Sequence, residues 1–135
     1  MGLQNATLMV GATVSTTGGT STAFVPNGAS VNNGIQIVDS TNTNAITRAS
    51  ITCKTIKNAT IDVTSGLFSG KTKRQMQLVR PKVLATGQVK FPLIRIEIET
   101  TPDNTEAEIT ALMNEGAMLL SDSDFLNFWK IGSVA

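Results

Sequence analysis

The chain has 135 residues, 41% apolar and 16% charged, with a formal net charge of +1. That is one domain's worth, able to bury about two-thirds of the surface its unfolded form exposes. It has no His and no Tyr, so the commonest general base, the commonest catalytic metal ligand and the usual phenolic acid are missing; no enzyme activity, metal site or cofactor is expected.

The first third is punctuated by turn residues: Gly18-Gly19, Pro26-Asn27-Gly28, Asn32-Asn33-Gly34 and the polar run Ser40 to Asn44. Between them, short β-branched or apolar runs predict strands at Ala6 to Val10, Thr22 to Val25 and Ile35 to Val38. Three longer segments follow and each alternates. In Ser50 to Ile56, Ile51 and Cys53 oppose Ser50, Thr52 and Lys54. In Lys73 to Arg80, Met76 and Leu78 oppose Lys73, Gln75 and Gln77; in Leu93 to Glu99, Ile94, Ile96 and Ile98 oppose Arg95, Glu97 and Glu99. Period-two patterning of this kind puts the two sets on opposite faces of a sheet. Three neighbouring strands thus share one apolar face and one polar face, as an antiparallel sheet with a single buried side does. Glu97 and Glu99 share the polar face beside Arg95, which reads as solvated or cross-strand-paired carboxylates rather than acid–base chemistry.

Two local patterns carry no function. Gly66-Leu67-Phe68-Ser69-Gly70-Lys71-Thr72 is one residue short of a phosphate-binding P-loop and enters a strand rather than a helix, so it is read as a hairpin loop. Asn5-Ala6-Thr7 and Asn58-Ala59-Thr60 match glycosylation acceptors, but the N-terminus lacks the basic region of a secretory signal and no export is expected. No run of about 18 apolar residues is present, so no membrane span is expected. The single Cys53 forms no internal disulfide.

The last forty residues change period from two to 3.6. Thr105 and Glu108 have capping-box spacing, and Ile109, Leu112, Met113 and Gly116 recur on one stripe, predicting a helix from Thr105 to Leu120. Ser121-Asp122-Ser123-Asp124 supplies a second cap for a short apolar helix carrying Phe125, Leu126, Phe128 and Trp129 that stops near Gly132. Strands first and helices last make the chain α+β. One sheet and two short helices give a thin core, and half the aromatic residues lie in that last helix. Packing onto a partner subunit's sheet would cover them, so an obligate homodimer is expected, with Ile109, Leu112, Met113, Phe125, Phe128 and Trp129 at its interface. The alternative is that both helices fold back onto their own sheet.

Charge is unevenly placed. From Arg48 to Arg95 there are ten Lys and Arg against Asp62 alone, whereas from Ile96 onward Lys130 stands against eight acids. A basic segment of this kind points to a polyanionic partner; the alternative is that the two segments are solvated faces that pair with each other.

In order along the chain, four stretches resemble the coat proteins of single-stranded RNA bacteriophages, the levivirus type. Gly34-Ile35-Gln36-Ile37-Val38 followed by Asp39 to Asn44 looks like that family's glycine-led strand and Ser/Asn-rich turn. Ile51-Thr52-Cys53-Lys54 is similar to its V-T-C-S strand, Leu78-Val79-Arg80-Pro81-Lys82-Val83 to the strand closing in V-P-K-V, and Asn104-Thr105-Glu106-Ala107-Glu108-Ile109 to the N-S-D-C-E-L start of its first helix. The resemblance covers most of residues 34 to 120. It implies one coat-protein domain over residues 1–135, with an N-terminal β-hairpin at about 6–26, an antiparallel sheet at about 34–100 and two helices at about 105–132 that interlock with a dimer partner.

The same resemblance implies a capsid protein that builds an icosahedral shell from dimers in the bacterial host cytoplasm, packages single-stranded genomic RNA in the virion, and represses translation through a genomic hairpin. The RNA-binding residues it carries over are Thr52, Lys54, Gln75 and Gln77; alternation adds Lys73, and Arg95 by parity. Two departures stand out: extra residues between Asn58 and Gly70, read as an extended hairpin, and a tight turn near Ala85-Thr86-Gly87-Gln88, in a loop that in the family meets its symmetry copies. Two other readings remain open from sequence alone. One is a non-viral module that coats single-stranded nucleic acid, which would want aromatic residues interleaved with the basic ones. The other is a subunit of a different assembly, such as a pilin or tail tube.

Overall fold

The computed structural model describes residues 3–15, 17–57, 59–61, 63–65 and 68–134. Its contacts divide the chain into two compact units: residues 20–103, and residues up to 19 together with residues from 104 onward.

The first unit is a five-stranded antiparallel sheet built from β1 (Phe24–Pro26), β2 (Gly34–Asp39), β3 (Ser50–Lys57), β6 (Thr72–Val79) and β9 (Leu93–Thr100), in the order β1-β2-β3-β6-β9. Two small hairpins branch from it: β4 (Thr60–Ile61) with β5 (Phe68–Ser69), and β7 (Lys82–Val83) with β8 (Val89–Lys90). The three alternating segments become the three longest strands, eight residues each. The expected extended hairpin is the β4–β5 pair; Asn58, Gly66 and Leu67, at the start of the glycosylation-like tripeptide and of the P-loop-like run, lie outside the described residues. The expected tight turn is a three-residue loop closed by Leu84 N–H donating to the Gln88 carbonyl at 2.8 Å. Gly87, at the loop's last position, has φ of 86°, the left-handed backbone such a hairpin needs and glycine adopts freely.

In the second unit α1 runs Glu106–Ser121. Its N-terminus is the anticipated capping box: Thr105 accepts from the Glu108 amide and the Glu108 carboxylate accepts from the Thr105 amide, satisfying donors that the first turn leaves orphaned. Asp122 then caps a 3-10 turn, Ser123–Phe125, which leads into α2 (Leu126–Ile131). Gly132 ends α2 with φ of 70°, its amide donating to the Phe128 carbonyl at 2.8 Å; a residue with a Cβ would be strained in that αL cap.

One expected strand is absent. Residues 6–10 form no ladder, and β1, shifted to Phe24–Pro26, pairs instead with β2. The hairpin expected over residues 6–26 is therefore a β1–β2 hairpin lying further along the chain. The physical reason is a competing set of acceptors. The Thr7 amide and hydroxyl donate to the Asp124 carboxylate at 2.9 and 3.0 Å, and the Met9 amide to Asp122 at 3.3 Å. Backbone donors that a partner strand would take are held by carboxylates at the entry to α2.

The core is as thin as the composition suggested. Among the described residues only Val38, Ala49, Met118 and Thr100 are buried.

Candidate functional site

Residues directly paired across antiparallel strands point to the same side, so the ladder register assigns every strand side chain to a face. One row across four strands is Gln36, Thr52, Gln77 and Arg95. The next row on that side is Gly34, Lys54, Gln75 and Glu97, and beyond it Lys73 pairs with Glu99. All six residues named from sequence, Thr52, Lys54, Lys73, Gln75, Gln77 and Arg95, therefore share one sheet face. Arg95, assigned only by parity, sits in the row with Gln77 and Thr52. A β-bulge between Thr55 and Lys57 then brings the Lys57 backbone opposite Lys73.

Side-chain hydrogen bonds tie this face together. Asn27 Nδ2 donates to Gln36 Oε1 at 2.7 Å, and Gln36 Nε2 to Thr52 Oγ1 at 3.3 Å. At the other edge, Arg95 donates through Nε and a terminal nitrogen to Gln77 Oε1 at 3.2 and 3.0 Å. Sequence reasoning missed Gln36 and Asn27. Gln36 was within reach, because it alternates with Ile35 and Ile37, whereas Asn27 comes from a turn that only the folded chain brings alongside.

The face is cationic but not uniformly so. Lys71 and Lys73 both reach the Glu99 carboxylate, at 2.9 and 3.6 Å. The Lys71 hydrogen bond, outweighing slight desolvation, holds that carboxyl below the usual range, with the charges of Lys71 and Lys73 adding to it. Glu99 thus has the cross-strand pairing role expected of it. No ion pair involves Lys54 or Arg95 among the described residues.

The opposite face is apolar. Its rows are Ile35, Cys53, Met76 and Ile96, then Ile37, Ile51, Leu78 and Ile94. In the single chain Ile35 and Met76 are each 48% exposed, and Ile96 43%. The helical unit repeats the pattern: of the six residues expected at a dimer interface, Leu112, Met113, Phe128 and Trp129 are exposed, while Ile109 and Phe125 are half-buried. The buried side chain of α1 is Met118, off the apolar stripe. Trp129 is fixed in place, with Nε1 donating to the Leu119 carbonyl at 2.7 Å and its ring edge-on to Phe128 at 5.2 Å between centroids.

No family model and no curated protein matches the sequence. Solved structures do. The chain is 32% identical to a chain from the virus-like particle of bacteriophage GQ-907, with a TM-score of 0.84 over 98% of this chain and 99% of that one. It shares its fold with chains from the virus-like particles of bacteriophage AVE019, at 13% identity and a TM-score of 0.60 over 84% of this chain and 86% of that one, and of Beihai levi-like virus 21, at 12% and 0.56 over 84% and 94%. Identity of 32% over nearly the full length of both chains sets aside the non-viral binding module and the pilin or tail-tube subunit. The chain belongs to the single-stranded RNA bacteriophage, levivirus-type coat proteins: it is a viral capsid subunit of the virion shell, a structural protein rather than an enzyme.

Proposed function

We propose that the polar sheet face is where this coat protein binds single-stranded RNA, that two copies interlock as a homodimer before joining the shell, and that the shell packages its genome in the bacterial host cytoplasm. The observation that carries this reading is the register. It gathers Thr52, Lys54, Lys73, Gln75, Gln77 and Arg95 on one side and apolar residues on the other. Lys54 and Arg95 supply charge for phosphates, and neutralising phosphates releases counterions, so packaging weakens as salt rises. Thr52, Gln75 and Gln77 supply donors and acceptors for base edges, the means of selecting one genomic hairpin over bulk RNA and of repressing translation through it.

The dimer follows from the uncovered apolar surface. Ile35, Met76 and Ile96 on the sheet, and Leu112, Met113, Phe128 and Trp129 on the helices, are exposed large apolar side chains in the single chain, and contiguous apolar surface of this kind marks an interaction site. A second copy offers complementary area by symmetry, helices to sheet and sheet to helices. In the assembled subunit the two compact units then serve as one coat-protein domain.

The test replaces Lys54 and Lys73 with Ala and measures encapsidated RNA in purified particles by the ratio of ultraviolet absorbances. A severalfold loss of RNA with intact shells is expected. Particles that pack as much RNA as the parent would refute the assignment of this face.

A further inference from the structure

Two asparagines of the chain precede glycine, Asn27 before Gly28 and Asn33 before Gly34, and they are the first and last residues of the connection between β1 and β2. An asparagine so placed can lose its side-chain amide without an enzyme. The next residue's backbone nitrogen attacks its Cγ, and glycine sets no Cβ in the way. Whether it does so depends on whether the fold leaves that nitrogen free.

The fold treats the two differently. At Asn33 the following peptide is held at both its polar groups: the Asn33 carbonyl accepts from the Thr55 amide at 3.0 Å, and the Gly34 amide donates to the Val31 carbonyl at 3.3 Å. The first of these ties it to β3. At Asn27 the Gly28 amide donates to no acceptor among the described residues. Gly28 has φ of 78°, with nothing within 4 Å of where a Cβ would stand.

The Asn27 side chain is exposed yet oriented. Its Oδ1 accepts from the Ala29 amide at 2.9 Å, while Nδ2 donates to Gln36 Oε1 at 2.7 Å. A backbone N–H only donates, so the Ala29 bond also fixes which end of the side chain is oxygen. The ring closed by that bond contains both Cγ and the Gly28 nitrogen. A donor on Oδ1 also stabilises the negative charge that this oxygen takes on during attack.

We propose that Asn27 is a site of spontaneous deamidation whose product disarms the polar sheet face. Hydroxide takes the Gly28 amide proton, the nitrogen bonds to Cγ, and the Cγ–Nδ2 bond breaks with release of ammonia, leaving a five-membered imide. Water then opens the ring at either carbonyl, to an aspartate or to an isoaspartate whose backbone runs through Cγ. Overall an amide and water become a carboxylate and ammonium, with no oxidant or cofactor.

The consequence lies in the hydrogen bonds of the face. A carboxylate cannot donate, so Gln36 Oε1 loses its partner and meets a second acceptor instead. Turning Gln36 over to donate to the new carboxylate takes its Nε2 away from Thr52 Oγ1. Either way a negative charge enters the hydrogen-bonded row that holds Thr52. This second half rests on the RNA-binding reading; the reaction itself does not.

The experiment incubates purified particles at neutral and mildly alkaline pH and follows both asparagines by mass spectrometry with fragment-ion sequencing, beside the same protein unfolded in denaturant. Folded particles should convert Asn27 faster than Asn33, and faster still at the higher pH, to a mixture of aspartate and isoaspartate. In the unfolded chain the two rates should be alike. Equal rates in the folded particle, a faster Asn33 or an unconverted Asn27 would overturn the site. Asn27→Asp should bind polyuridylate about fivefold more weakly in filter binding, the worth of one net hydrogen bond. Converted parent protein, separated by ion exchange, gives the same comparison without a new sequence. Binding as tight as the parent's in both would overturn the effect on the face. If Lys54→Ala with Lys73→Ala still loses RNA in that case, the RNA-binding face stands; if it keeps its RNA, both readings fall.

Discussion

Arg95 and Gln77 face each other across the β6–β9 ladder, and the arginine donates two hydrogen bonds, at 3.2 and 3.0 Å, to a single oxygen of the glutamine. A long, flexible cation on an edge strand is thereby oriented before any ligand arrives. Arg95→Ala should therefore weaken RNA binding and flatten its salt dependence. The logarithmic slope against salt should fall by roughly 0.7, the increment for neutralising one phosphate fewer on a single strand, read by filter binding at several ionic strengths. An unchanged slope would remove Arg95 from the interface.

Glu99 acts in the opposite sense. It holds Lys71 and Lys73, so Glu99→Gln should release two cations to the RNA face, tightening binding and steepening its salt dependence. Exposed ion pairs of this kind contribute roughly 0–1 kcal/mol to stability, so thermal unfolding should scarcely move. A variant that binds RNA no better would show that these lysines do not meet phosphate.

Gly34 is required by close approach rather than by a left-handed turn. A Cβ there would overlap the Cys53 carbonyl oxygen and lie 2.7 Å from Lys54 Cβ on the neighbouring strand. Backbone cannot yield as a side-chain tip does, so Gly34→Ala should cost about 2–3 kcal/mol, measured by denaturant unfolding. Because Gly34 pairs with Lys54, the same variant should disturb RNA binding. Near-wild-type stability would mean that β2 shifts freely.

The N-terminal segment should be sensitive to acid. Asp124 accepts the Thr7 amide and hydroxyl, and those bonds, the amide first, lower its pKa against a smaller opposing desolvation. A carboxylate with a depressed folded pKa contributes stability that is present above its unfolded value, about 3.9, and lost as pH falls through the lower folded value. Amide-exchange protection at Thr7 should therefore hold at neutral pH, persist through the ordinary carboxylate range and disappear only in stronger acid, below the unfolded value, and Asp124→Ala should abolish it throughout. Protection that persists in the alanine variant would show that Asp124 is not what holds the segment.

Alternation in β3, β6 and β9 was enough to sort their side chains onto two faces, because a ladder of directly opposed pairs preserves parity from strand to strand. The Thr105 and Glu108 spacing likewise announced its own capping box, a contact made within one turn. What could not be read was anything that depends on distant segments meeting. Thr7 and Asp124 are 117 positions apart, and nothing in the run Ala6 to Val10 tells it to prefer carboxylates over a strand. A hollow lined by Gln36, Ser50, Val79 and Phe91 among others is invisible for the same reason: its lining comes from β2, β3, β6 and four connecting segments, and no periodicity links them.

If the proposed dimer forms on the apolar side of the sheet, where Met76 and Ile96 are exposed in the single chain, abundance itself takes on a regulatory role. A newly made polypeptide at low copy number keeps this surface in water. Each further copy raises the chance of an encounter that dries it, and mass action makes the melting temperature climb with protein concentration. Accumulation during infection could thus serve as the clock that starts particle building. A melting curve independent of dilution over two decades would stop that clock.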